Sequence, residues 1–166
     1  MDIPSDFQLM AQMAITLAGF TALVDASQRR SGEPLSLRER LHLGLIVQNA
    51  AFVVALGFLP SALSRLPIAS EVVWRISIVA MATAHSVSWV YGWNTRMFTL
   101  LSVEIHGWEK FFGLLSLPLG LTAVAAEIII ALGYYSQFTN FVYECGLLLS
   151  LLVGLYSFVS LLLNKE

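Results

Sequence analysis

The chain has 166 residues, of which 57 % are hydrophobic and only 12 % charged, with a mean hydropathy of +0.76. A soluble domain carries about 25 % charged residues; this chain lacks the polar surface that a soluble enzyme, a coiled coil or a disordered segment needs. Nine Lys and Arg against eleven Asp and Glu leave a net charge of −2, which excludes a basic face for nucleic acid.

The apolar residues fall in stretches able to cross a bilayer, which takes about 20 residues each. The first stretch, Phe7–Val24, is flecked with Gln8, Gln12, Thr16 and Thr21. Acidic Asp2 and Asp6 precede it and Arg29 and Arg30 follow it, the reverse of a signal peptide, so it reads as a retained helix. Ala14, Ala18 and Ala22, beside Gly19, offer a small-residue face for another helix. The second stretch, Leu43–Leu63, carries Gln48 and Asn49 in its inner half, and Gly44, Gln48, Ala51 and Ala55 line one of its faces. Amides of this kind hydrogen-bond across helices or line a polar path. A loop with Pro60 and Pro67 leads to the third stretch, Val72–Trp93.

Residues 94–110 are too polar to span. Met97, Phe98, Leu101, Ile105 and Trp108 recur there at helical spacing, which predicts an amphipathic helix on the membrane surface. The fourth stretch, Phe111–Tyr135, contains Pro118, which frees the carbonyl of Leu114 and predicts a kink. A tight turn at Gln137–Asn140 leads into the fifth, Phe141–Leu163, whose Gly146, Ser150 and Gly154 form a second close-packing ladder. Trp74, Trp89, Trp93, Trp108, Tyr134, Tyr135 and Tyr143 lie near span ends, as an interfacial belt requires.

Seven of the nine basic residues (Arg29, Arg30, Arg38, Arg40, Arg96, Lys110 and Lys165) lie on one side of this layout, against Arg65 and Arg75 on the other. By the positive-inside rule the richer side is cytoplasmic. The fold expected is all-α: a polytopic transmembrane helical bundle in one membrane domain, with five spans, N-terminus outside and C-terminus cytoplasmic. If the first stretch lies in the interface, four spans remain with the same orientation.

An ionisable group inside a membrane helix costs about 2.5–3.5 kcal/mol at the centre for Asp, Lys or Arg, and so marks a partner, a cavity or a function. Glu127 sits among alanines and isoleucines, with Ser116, Gly120, Ala123 and Ala131 on its face. It either binds a cation or a proton, or donates one structural hydrogen bond as a neutral acid. His85, near the middle of the third stretch, shares its face with Ser77, Met81, Ser88 and Gly92, and Trp89 follows one turn later. This His-x-x-x-Trp order resembles that of a viral proton channel, a likeness of two residues. Histidine titrates near physiological pH and could relay protons; the structural alternative is a neutral imidazole bonded to a serine or a carbonyl. Glu144 lies near the outer end of the fifth stretch, within reach of interfacial water.

Catalytic and metal motifs are poor. Glu39 and His42, and in reverse order His106 and Glu109, are spaced by three, which makes one correctly ordered Glu-x-x-His where a dimetal bundle needs two. Paired-histidine clusters, phosphate loops and nucleophile elbows are missing. The lone Cys145 excludes a disulfide framework and packs as a small hydrophobe. The expectation is a non-enzyme without cofactor or bound metal.

Ala18-Gly19-Phe20-Thr21-Ala22-Leu23-Val24, an Arg-rich loop, a Leu-rich helix ending at Leu59-Pro60, and Trp74-Arg75 opening the next look like small uncharacterised bacterial multi-pass inner-membrane proteins. The resemblance covers the first half of the chain and implies a bacterial inner-membrane location, with no activity or site residues attached. Three functions compete. The first is a homo-oligomeric channel or ion/proton conductor using Glu127, His85, Trp89, Glu144, Gln48 and Asn49. The second is an accessory or scaffold subunit that binds a larger membrane-protein partner in the lipid bilayer. The third is a lipid-acting enzyme built on Glu39, His42, His106 and Glu109.

Overall fold

The computed structural model describes residues 5–30, 36–102 and 107–163, and every element among them is helical. Five α-helices follow one another: α1 Ser5–Arg30, α2 Leu37–Leu63, α3 Ser70–Ser102, α4 Gly107–Ala131 and α5 Thr139–Leu163.

The ends of these helices follow local chemistry. Ser36 caps α2: its Oγ accepts from Glu39 N at 3.2 Å, and Glu39 Oε2 accepts from Ser36 N at 2.8 Å. This reciprocal box satisfies two donors that the first helical turn leaves without partners. Pro60 lies inside α2, yet the helix runs on to Leu63 and closes with Ser64 N donating to Pro60 O. α4 stops where Gly133 adopts φ +98°, a left-handed conformation that glycine enters at no steric cost. Gly133 N donates to Ile130 O and Tyr134 N to Ile129 O, the pair of bonds of a Schellman stop. The connection to α5 therefore begins at Leu132, earlier than the turn expected at Gln137–Asn140, and contains a 3-10 turn at Ser136–Phe138.

Among the described residues three stretches are long and apolar enough to cross a membrane: Asp6–Ser27, Glu39–Leu63 and Ser136–Leu163. The polar-flecked first stretch is thus among them. Among the described residues of α3, Arg75, Ser77, His85, Ser86 and Ser88 dilute the hydropathy, and the described part of α4 contributes the apolar run Pro118–Ala131. The surface helix expected over 94–110 is not a separate element where it is described. Residues 94–102 continue α3 without a break and 107–110 open α4, while 103–106 lie outside the described residues. Many large apolar side chains face outward, among them Leu9, Met13, Phe20 and Leu23 on α1 and Leu148, Leu152 and Leu155 on α5. Patches of that extent suit lipid and not water.

The chain divides into two compact units, Met1–Val73 with Glu144–Glu166, and Trp74–Tyr143. In the first, α1 packs along α2 in antiparallel fashion. A Cβ on Gly57 would lie 3.0 Å from Phe7 O and 3.4 Å from Ala11 Cβ, so the start of α1 meets the end of α2. Farther along, Leu17, Asn49 and Gly154 of α5 come together, with Leu17 Cδ2 3.3 Å and Asn49 Cβ 3.6 Å from where a Gly154 Cβ would stand. The ladder Gly146, Ser150, Gly154 is buried as its spacing predicts. The small face of α2 turns the other way: Gly44, Ala51 and Ala55 are exposed, and Ile46, Asn49, Ala50, Val53 and Leu56 point inward. In the second unit, Trp74 meets Tyr143 edge to face at 5.9 Å and 76°. Tyr143 is fully buried.

Candidate functional site: a buried histidine–carboxylate pair

α4 presents two unlike faces. Leu119, Leu121, Ile128 and Ile129 are exposed, whereas Gly120, Ala123, Glu127 and Ile130 lie on the covered side. This is the small-residue face read from the spacing, and it carries Glu127 fully inside, at 0 % exposure. A carboxylate only accepts hydrogen bonds, and the amides of a helix interior are already used by their own helix. As a carboxylate, Glu127 can therefore find a donor only on another element.

That donor comes from α3. His85 Nδ1 stands 2.7 Å from Glu127 Oε1, with the imidazole 11 % and the carboxyl 0 % exposed. Either atom can hold the shared proton, giving an ion pair when it sits on Nδ1 and a neutral pair when it sits on Oε1. The distance matches charge-assisted N–H···O geometry. Glu127 Oε2 is also buried and has no hydrogen-bond partner among the described residues. The pair thus keeps one acceptor open beside a shared proton.

Trp89 lies on the same α3–α4 seam, one turn beyond His85. Its indole occupies the space where a Cβ on Gly120 would stand, with Nε1 meeting that position and Cδ1 3.3 Å from it. Only a residue without Cβ lets the ring approach the α4 backbone so closely. Along the rest of the His85 face, Ser77 and Met81 are buried and Ser88 is half-buried. The surroundings of Gly92 lie outside the described residues.

The other candidates do not join this site. Glu144 is half-buried and belongs to the unit of α1, α2 and most of α5. Gln48 is half-buried and Asn49 buried, both in that same unit. Asn49 Nδ2 donates to Leu45 O at 2.8 Å in its own helix, so the cross-helix bond expected of this amide is replaced by an internal one. Glu39, half of the lipid-enzyme constellation, is engaged by the Ser36 cap, a role that the Ser-x-x-Glu spacing itself signals. His106 and the side chain of Glu109 lie outside the described residues. Cys145 is exposed, not packed inward. Among the described residues no three His, Cys, Asp or Glu side chains gather as metal ligands.

No family model, curated protein or solved structure matches this chain.

Proposed function

We propose that the chain is a multi-pass protein of the bacterial inner membrane, with five spans, N-terminus outside and C-terminus cytoplasmic. In this reading it assembles with copies of itself into a channel for protons or small cations, and it is not an enzyme. The observation that carries the proposal is the buried His85–Glu127 contact at 2.7 Å. Inside an apolar protein an acid and an imidazole that share one proton are an exchange point. A proton arriving at the imidazole Nε2 allows the Nδ1 proton to pass to Glu127 Oε1, and the carboxyl releases it onward from either oxygen. Trp89, seated on Gly120, flanks this exchange point.

The test is reconstitution of the purified protein in liposomes under a pH gradient, with flux read by an internal pH dye and oligomeric mass measured in parallel. Glu127→Gln and His85→Gln are expected to abolish proton flux, and Glu144→Gln to leave it intact. A monomer without flux overturns the reading.

That outcome would favour a non-conducting accessory subunit, for which one observation speaks directly. Gly19 on α1 and Gly44 on α2 are exposed, and a Cβ on either would meet nothing within 4 Å among the described residues. Small residues left open in this way allow a helix of a partner to approach closely.

A further inference from the structure

A buried titratable side chain stands near the His85–Glu127 pair without a part in the exchange described above. Tyr143, near the start of α5, belongs to the compact unit Trp74–Tyr143 that also holds His85 and Glu127. It is 0 % exposed, as is Glu127, and its phenol lies within electrostatic reach of the Glu127 carboxyl. The chain itself sets their depths: Glu127 lies one helical turn before the end of α4 at Ala131, and Tyr143 one turn after the start of α5 at Thr139. The Trp74 indole meets the phenol ring edge to face, with 5.9 Å between centroids and 76° between planes.

The hydroxyl is the telling part of this side chain. The contact with Trp74 needs only an aromatic ring, and phenylalanine would supply it without taking a polar group out of water. The pair, for its part, is lopsided. Glu127 Oε1 faces His85 Nδ1 at 2.7 Å, while Oε2 is enclosed and has no hydrogen-bond partner among the described residues. The carboxyl thus commits one oxygen to the imidazole and keeps the other for a proton going elsewhere. A phenol both donates and accepts, as a relay must.

We infer that Tyr143 is the next station of the proton path after Glu127, reached from Oε2 through one bridging water. The inference rests on the conducting role proposed above and names the group that takes the proton onward. A water between two polar groups that do not meet directly bonds nearly as well as a direct contact. The step conserves atoms and charge. The Oε2 proton passes to the water, the water passes one of its own to the phenol oxygen, and the phenol releases its original proton to the next acceptor. Water and phenol are neutral before and after, so no tyrosinate has to form in an apolar interior. Rotation of the hydroxyl resets the relay, and the carboxylate left behind is reloaded through His85.

The test joins flux to a signal that does not depend on flux. In the liposome assay Tyr143→Phe, which keeps the ring against Trp74, is expected to lower proton flux by at least about tenfold. A ring-fluorinated tyrosine at position 143, which keeps the hydroxyl, should retain the flux of the parent. A smaller loss in Tyr143→Phe, or an equal loss with the fluorinated ring, overturns the relay and leaves the conducting role standing. A parent protein without flux overturns the conducting role and the relay with it. In the full-length fluorinated protein, purified in detergent, fluorine NMR reads the phenol directly. Glu127→Gln should shift this resonance, and Glu39→Gln, in the other unit, should leave it in place. A resonance indifferent to Glu127→Gln overturns the link between the two residues, whether or not the vesicles conduct and even if Tyr143→Phe fails to fold.

Discussion

The energetic reality of the His85–Glu127 pair is open to a double-mutant cycle. Replacing Glu127 by Leu leaves His85 Nδ1 against an apolar side chain. Replacing His85 by Leu leaves a fully buried carboxyl with neither oxygen bonded among the described residues. Stranding a buried polar group costs about 1–3 kcal/mol, and more when the group is charged. The double replacement strands nothing and should lie near neutral, as hydrophobic replacements of buried pairs often do. Cross-helix hydrogen bonds in membrane proteins average about 0.6 kcal/mol and reach about 1.7, while charge assistance roughly doubles a bond. The 2.7 Å separation places this pair at the charge-assisted end, so the expected coupling is about 1.5–3 kcal/mol. The assay is reversible unfolding of the parent, both single variants and the double variant in mixed micelles. Effects that add to within about 0.3–0.5 kcal/mol would refute the pair as an interacting unit. A coupling near 0.6 would reduce it to an ordinary neutral hydrogen bond and remove the charge separation from the proposed exchange.

Two further outcomes follow from the packing. Gly120→Ala forces the Trp89 indole off α4 and should cost about 1–3 kcal/mol; in a Trp89→Phe background the same change should cost measurably less, and an equal cost in both would refute the seat. Ser36→Ala removes the Oγ that caps Glu39 N and should destabilise by about 0.5–2 kcal/mol, with no effect on proton flux in liposomes.

Glu127 and His85 each stand out in the sequence because an ionisable group in an apolar stretch has few structural excuses. Their pairing was hidden by the expected surface helix at 94–110. An intervening element sets the depths of the two flanking helices independently. With α3 running to Ser102 and α4 starting at Gly107, Trp89 and Gly120 lie equally many residues from those two helix ends, with His85 one helical turn beyond Trp89 and Glu127 two turns beyond Gly120. The inward ladder of α5 was legible because Gly146, Ser150 and Gly154 have no larger residue competing for their face. On α2 the small residues misled, since Gly44, Ala51 and Ala55 are tolerated facing outward as well, and burying Ile46, Val53 and Leu56 removes more apolar area from solvent. The stop at Gly133 carried a signal too, a glycine after the run Ile128–Ala131, but the apolar tyrosines that follow extended the hydropathy beyond it.

The polar residues of these helices divide by whether they donate or accept, and the division says where function concentrates. Thr16, Thr21, Thr83 and Thr122 donate to the carbonyl four residues back, and Asn49 does the same through its amide. Each uses the second lone pair of a carbonyl already bonded within the helix, so a donor in a membrane helix needs no partner helix and specifies none. An acceptor has no such refuge, because every interior amide proton is taken. Glu127 could reach solvent, capture a proton of its own, or recruit a donor from a neighbour. Its complete burial closes the first route, and His85 fulfils the third. A carboxyl that needed only neutrality could have been a glutamine or a leucine, either of which a helix tolerates at lower cost. What a glutamate beside a histidine adds is a proton with two places to sit, and that added freedom is the property a conducting path would use.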